Sequence, residues 1–468
     1  MKIVMFSINP IFPDLVTGGA SKHLFHIANH LAARGHNIEI YCAQPKGEPA
    51  PFRWGKNIKV FPILPFKLPF PQPYAISGAN LAMIITHLVK ALQEADRFYI
   101  HDGEWLVPDI YESIPTITSF RDNIYPESVL GSFIHKADDV ICVSQYSASV
   151  IEHTAGRFYP ALRERLHQAN NGIDLKVFSE KETSSLANEL RVNPDEDIIL
   201  LHPHRPEPGK GLPETIRVVD ALVHEHGLTK LKVLIPEWIG EMVSSRESTF
   251  CSAMMALISQ LGVREFFRFI PWQPMERMPE LYSLGDITLC LGSIVEAFGN
   301  VAYESIACGT PSVVARVGVH RTLLPDKLIN KVHFGDIVNA VDQVVAILNG
   351  DRPSQAEVLA FLQSELDFDR QMNAYADIIE KCKKRGRMRF SRESLTTPRR
   401  FTIAPWCYLN GKRIYHDFHG VFESADILAE LFQDRDSISR DDAEDAGVTN
   451  ETWNSWIEKT WIVSVNYT

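Results

Sequence analysis

Short apolar runs alternating with amphipathic helical segments constrain this chain most, and the alternation occurs twice. In the first series the runs fall at 2–8, 38–42, 59–63, 97–100, 116–120 and 140–144, lengths suited to strands buried on both faces of a parallel sheet. Between the first two, Leu24, Ile27, Ala28 and Leu31 recur at i, i+3, i+4 and i+7 on one helix face, and Gly35 supplies a left-handed stop. After a polar stretch at 179–194, a second series runs near 198–202, 232–235, 267–270, 287–291 and 312–315. Such alternation specifies an α/β fold with two doubly wound, Rossmann-like sheets, which bind ligands beyond the carboxyl ends of their strands. A chain of 468 residues is also too long for one core.

From about residue 399 the pattern changes. Apolar runs at 401–409 and 413–418 flank Asn410-Gly411, a type I′ hairpin signal. Three short helical patterns (424–432, 440–446 and 450–459) and a strand candidate at 461–465 follow. This predicts a small appended α+β domain, winged-helix-like in order, with Trp406, Trp453, Trp456 and Trp461 as core. The expected organisation is a first domain at 1–185 and a second at 186–390, whose last helix, about 371–385, returns to the first; residues 399–468 form the accessory domain.

Composition narrows the function classes. Hydrophobic residues at 45% and charged residues at 22% are the mix of a soluble globular protein. Seven scattered cysteines without a CxxC pair predict reduced thiols and a cytoplasmic location, against a disulfide framework or zinc site. No apolar run reaches bilayer-spanning length, which leaves only peripheral membrane contact open. Lys plus Arg at 47 against Asp plus Glu at 58 gives a net charge of −11, so the overall field does not draw nucleic acid. The basic run 381–392 (KCKKRGRMRFSR) is either a solvated helix end with a linker or a local basic patch.

Three segments carry candidate chemistry. In EAFGNVAYESIACGTP (296–311), Gly299 stands where a loop turns into a helix, whose first amides offer unpaired N–H groups to an anion. Glu304 lies in an otherwise apolar helix and needs hydrogen-bond partners, a role ribose hydroxyls suit; Glu296 is placed to reach hydroxyls of a sugar on a bound diphosphate. In HRPEPGKG (204–211), Arg205 and Lys210 follow an apolar strand on a glycine-containing loop, suited to gripping a diphosphate and its developing charge. The pair Gly18-Gly19 after the first strand permits close backbone approach to a ligand but is not a GxGxxG fingerprint. His202 and His204 have HxH spacing without further clustered ligands, so no metal is expected. The aromatic and proline-rich stretch 61–74 is either an ordered surface loop or a contact for acceptor or lipid, with Phe66 and Phe70 as its probes.

These residues resemble the large retaining GT-B glycosyltransferase family that includes glycogen and sucrose synthases. The likeness rests on TGGASKHLFHIANHLAARGHNIEIYC, ADDVICVSQYSASVI with Asn171-Gly172-Ile173-Asp174, WQPMERMPELYSLGDITLCLGS and the two-glutamate motif, in order over roughly residues 1–385. The resemblance implies two facing Rossmann-like domains and a UDP- or GDP-sugar donor, with no permanently bound cofactor. It assigns Arg205 and Lys210 to the diphosphate, Glu296 to the transferring sugar and Glu304 to the ribose, with Phe298, Gly299 and Asn300 beside the phosphates. It further implies metal-independent transfer with retention. His204 and Gly209 depart from the family's usual glycine and acidic residue. Arg121 of SFRDN stands where a histidine is common and is an acceptor-side candidate; His101, Asp102 and Glu104, just past a predicted strand end, either orient the acceptor hydroxyl or make structural hydrogen bonds. The acceptor is expected to be a glycan or lipid-linked molecule, or a peptide or modified DNA recruited by residues 399–468, a segment that is otherwise a dimerisation or structural cap. The alternatives are a silent nucleotide-sugar-binding scaffold and a sugar-nucleotide epimerase.

Overall fold

Residues 1–13, 18–45, 47, 50–68, 72–205, 207–237, 245–392 and 400–465 are described by the computed structural model. They form two units, Met1–Asn170 with Met372–Thr468, and Asn171–Gln371. In the first unit, β1 (Lys2–Pro10), β2 (Asn37–Ala43), β3 (Phe52–Gly55), β4 (Ile58–Leu64), β5 (Arg97–Ile100), β6 (Thr116–Phe120), β7 (Asp139–Cys142) and β8 (Leu166–Gln168) make one sheet. Its order is 3-4-2-1-5-6-7-8, and every pairing is parallel except β3 with β4. Helices α1 (Gly18–Ala33), α2 (Gly78–Leu92), α3 (Pro126–Ile134) and α4 (Gln145–His153) belong to the same unit. Leu24, Ile27, Ala28 and Leu31 of α1 all face the interior, and Gly35 at φ +89° ends the helix.

The second unit repeats the scheme. Strands β9 (Ile198–Leu201), β10 (Leu231–Pro236), β11 (Phe267–Ile270), β12 (Ile287–Cys290), β13 (Ser312–Ala315) and β14 (Asn330–Val332) run parallel in the order 11-10-9-12-13-14. With them are α5 (Ser184–Leu190), α6 (Leu212–His224), α7 (Ser245–Gln260), α8 (Met278–Leu284), α9 (Asn300–Ala307), α10 (Ile337–Leu348) and α11 (Gln355–Glu365). Helix α12 (Phe368–Lys381) carries the chain back into the first unit. Strand order reverses between β1 and β5 in one sheet and between β9 and β12 in the other, and at such reversals the loops part to leave a crevice. Edge strands β3, β8 and β14, three or four residues long, are too short for a periodicity to register in sequence.

The basic run leaves the end of α12 and is mostly exposed, as a solvated helix end with a linker would be, but it is also tied down. Past α12 it forms a strap over β6 and β7: Lys384 Nζ lies 3.1 Å from Asp138 Oδ2 and the Arg385 amide donates to Asp138 Oδ1 at 2.7 Å. Arg385 also pairs with Asp139 at 2.9 Å, and Arg387 with Glu112. Phe390 stacks on Phe158, ring centroids 5.8 Å apart. Phe66, considered above as an acceptor or lipid contact, is interior, set edge-on to Phe6 and Tyr74; Phe70 lies outside the described residues.

The appended segment is folded differently at its start than expected. Residues 401–409 are two strands: β15 (Phe401–Ile403), and β16 (Cys407–Asn410), which pairs with β17 (Arg413–His416). A third strand, β18 (Val421–Ser424), extends that sheet, α13 (Asp426–Leu431), α14 (Arg440–Asp445) and α15 (Asn450–Glu458) follow, and β19 (Ile462–Ser464) returns to pair with β15. Asn410 opposes Arg413, so Gly411 and Lys412 are the central turn residues. Gly411 has φ +56° and Lys412 does not have positive φ, the type II′ pattern in place of the expected I′, because glycine sits first and not second. Trp406, Trp453, Trp456 and Trp461 are all interior. The segment is anchored to α4 by Tyr146, whose hydroxyl donates to the buried Asp417 carboxylate at 2.7 Å. Among the described residues no helix is long and apolar enough to cross a membrane.

Taking one donor from a buried carboxylate costs about 1–3 kcal/mol. Tyr146→Phe should therefore lower the unfolding midpoint and expose residues 400–465 to limited proteolysis before the rest of the chain; unchanged cleavage order would show that other contacts hold the segment.

Candidate active site

The glycine-containing loop after β9 and the loop after β12 meet at the strand-order reversal of the second sheet. Gly209 and Gly211 both have φ +89°. A Cβ on Gly211 would stand 2.6 Å from the Gly292 nitrogen, and one on Gly292 would stand 2.2 Å from the Gly209 carbonyl oxygen. The Ile294 amide donates to that same carbonyl at 3.0 Å. Backbone thus lies directly on backbone, and the contact fixes Lys210 opposite Glu296: Nζ to Oε1 is 2.6 Å, with the two side chains 19% and 29% exposed. Burial pushes the Glu296 carboxyl up, but the Lys210 ammonium, with His320 and Arg205 behind it, outweighs burial and holds it below the usual range. Arg205 is mostly exposed, 3.5 Å from Glu207.

Gly299 precedes α9 at φ +78°, and a Cβ there would fall 2.4 Å from the His320 ring. Two constraints therefore require glycine where the helix N-terminus opens. Asn300 is the first residue of α9. Phe298 turns inward, its ring 5.2 Å from that of Tyr303, so it shapes the loop from within. Glu304, one turn into the helix, accepts from the Tyr282 hydroxyl at 3.2 Å. His202 is buried against Thr215 at 3.1 Å.

His320 carries no motif in the sequence, yet it underlies the site. Its Nδ1 meets the Tyr303 hydroxyl at 2.8 Å and its ring covers the Gly299 position. Only the fold reveals it, since 21 residues of chain separate it from Gly299. Gly292 lies within the quoted LCLGS, but its reason for being glycine is the partner loop.

The first-unit candidates cluster at the other reversal. Gly18 and Gly19 open α1, and Ala20 just beyond them accepts from His101 Nε2 at 3.1 Å. His101 Nδ1 meets Tyr99 at 3.0 Å, so the ring is a buried pin between strand and helix; burial and then Arg121 push its pKa well below the ordinary value. Asp102 adopts φ +63° and lies 3.3 Å from Arg121 Nε; burial raises its carboxyl to about 6 even with the guanidinium pulling it down.

Comparison with known proteins accords with this layout. The family "Glycosyltransferase Family 4" matches residues 17–177 and "Glycosyl transferases group 1" matches residues 188–348. The D-inositol 3-phosphate glycosyltransferase of Saccharomonospora viridis is 30% identical over 330 residues, 64% of this chain and 74% of that one. The chain belongs to the GT-B glycosyltransferases. The similarly named protein of Acidothermus cellulolyticus is 25% identical over 334 residues, covering 66% and 73% of the two chains. Among solved structures, Anabaena HepE in complex with UDP and glucose superposes with a TM-score of 0.64 at 19% identity, covering 81% of this glycosyltransferase and 99% of HepE. Sucrose-phosphate synthase from Thermosynechococcus elongatus gives 0.65 at 15%, over 81% and 98%.

Adding a methyl group at Gly292 must part the two loops. Gly292→Ala should lower kcat/KM for the donor by about tenfold or more, consistent with a shift of about 1 Å in positioning groups, as measured by initial rates. A separate outcome concerns pH. Burial first, and nearby Lys210 second or later, lower His204 from 6.5 to about 3 and His320 from 6.5 to about 4, with Glu296 partly offsetting the effect on His320. Depressed folded pKa values mean that the unfolded chain takes up protons first, so this stability is complete above about pH 6.5 and is lost as pH falls toward 4. Calorimetric midpoints should fall across that window, and less steeply in His320→Asn.

Proposed function

We propose that this glycosyltransferase moves a sugar from a UDP-sugar to an acceptor hydroxyl with retention of anomeric configuration and without a metal ion, in the cytoplasm. The observation that carries the reading is the Lys210–Glu296 pair, 2.6 Å apart at the β9/β12 reversal beside the opening of α9. A diphosphate would draw the ammonium to itself and free the Glu296 carboxylate for hydroxyls of the attached sugar. Lys210, Arg205 and the first amides of α9 would then neutralise the departing phosphate. Glu304, already oriented by Tyr282, is positioned for ribose hydroxyls.

UDP is favoured as the donor nucleotide because HepE is described with UDP, UDP-glucose, and UDP with glucose. Metal independence is supported by the partners that residues of two Asp-x-Asp strings, Asp195–Asp197 and Asp367–Asp369, already have. Asp197 accepts the Asn193 amide at 2.8 Å, Asp367 that of Arg370 at 2.6 Å, and Asp369 pairs with Lys176 at 3.0 Å.

UDP should raise the unfolding midpoint by several degrees, GDP by less, and Glu304→Ala should abolish the UDP shift, since a ligand stabilises only the state it binds. Lys210→Ala should cut kcat by roughly 100-fold or more, the scale of losing one preorganised charge-stabilising group. Proton NMR of the first product formed should show the donor's anomeric configuration. An inverted product, or full turnover by Lys210→Ala, would refute the mechanism.

A further inference from the structure

The first unit holds a polar cluster that the donor chemistry does not use. The loop after β5 supplies Asp102 and Glu104, the loop after β6 supplies Arg121, Asp122 and Asn123, and the first turn of α3 supplies Glu127. Small residues bring these segments together: a Cβ on Gly103 would fall 2.0 Å from the Phe120 ring, and one on Gly131 1.9 Å from the Gly103 carbonyl oxygen. The β5 and β6 loops flank the strand-order reversal, where open α/β sheets take their ligands.

Some of the polar groups are satisfied. Asp122 accepts from Ser128 at 2.6 Å, and the Tyr74 hydroxyl donates to the Glu104 backbone carbonyl at 2.7 Å. Four buried atoms are not. Glu104 Oε2 and Glu127 Oε2 make no hydrogen bond, nor do Arg121 Nη1 and Asn123 Nδ2, while Asp102 Oδ1 has only the ion pair with Arg121 Nε at 3.3 Å. Asp102, Glu104 and Glu127 are 5%, 3% and 6% exposed, and the Arg121 side chain 10%. Native chains seldom leave buried polar atoms unpaired, and a group of them in one place marks partners to be supplied from outside.

Their chemistry selects the partner. The set mixes acceptors with donors; a hydroxyl satisfies both at once, a phosphate oxygen only the donors and an ammonium only the acceptors. Four carboxyl groups stand against one guanidinium; burial, then Asp102, push Glu104 well above the usual range, and the three others still outnumber the guanidinium, so an incoming phosphate meets like charge. We propose that this cluster binds the hydroxyls of an uncharged polyol head of the acceptor, with no phosphate on the part that enters. The inference rests on the transferase reading and adds the acceptor class to it. It separates this chain from relatives named for D-inositol 3-phosphate.

The test is a UDP-release assay with UDP-glucose and matched acceptors, myo-inositol against D-inositol 3-phosphate and glucose against glucose 6-phosphate. Each uncharged member should exceed its phosphorylated partner in kcat/KM by about tenfold or more. Glu127→Gln should raise the KM for the uncharged acceptor about tenfold, change kcat less, and narrow the gap to the phosphorylated one; a merely structural role would move neither ratio. Calorimetric UDP binding serves as the folding control, and Glu104→Gln is the second variant. Preference for a phosphorylated member, unchanged acceptor KM in both variants, or donor hydrolysis without transfer to either uncharged polyol would overturn the proposal. Absence of both UDP binding and donor hydrolysis would instead overturn the transferase reading.

Discussion

The contact that positions the candidate site of the second unit is backbone on backbone. The Gly209 carbonyl is close enough to Gly292 to exclude a side chain there, and it accepts the Ile294 amide as well. Dispersion forces and one hydrogen bond thus lock two loops that leave adjacent strands. Everything polar in the site inherits its position from that lock: Lys210 is held between two left-handed glycines, Glu296 follows two residues after Ile294, and α9 begins four residues later. The glycines are needed for proximity as much as for conformation, since each lies where a neighbouring chain already occupies the Cβ position.

The strands were legible because parallel sheets buried on both faces demand unbroken apolar runs, and Ile3–Phe6 or Ile199–Leu201 admit little else. Lys210, Glu296 and Glu304 were legible as charges in apolar or glycine-rich surroundings, where an isolated carboxylate or ammonium needs a reason. His320 was not, because its role is to fill the space a glycine vacates, and that pairing crosses from one loop to another. The hairpin was found and its turn misassigned by one position, since Asn-Gly marks a tight turn without fixing which residue opens it. The attachments of the basic run were hidden for a related reason. Its partners Asp138, Asp139 and Glu112 lie more than 220 residues upstream, and local charge counting does not see them.

The two sheets use the same topological device for opposite electrostatics. At the β9/β12 reversal the prominent charges include two cations, Lys210 and Arg205, set about one carboxylate, which suits a polyanion. At the β1/β5 reversal carboxylates outnumber the cation, and His101, neutral and tied at both ring nitrogens, adds no charge. Burial makes each imbalance matter, because the low local dielectric that raises Asp102 and Asp122 toward 6 also strengthens any interaction made there.

The strap over β6 and β7 has a consequence for biosynthesis. Asp138 is fully buried, and two of its partners, the Lys384 ammonium and the Arg385 amide, belong to the last quarter of the chain. As the polypeptide leaves the ribosome, residues 1–170 emerge first yet hold a carboxylate whose shell is incomplete until residue 385 has followed. The unit at 171–371 is contiguous in sequence. The second unit can therefore close before the strap exists, while Asp138 gains these two partners only once residues 384 and 385 have been made.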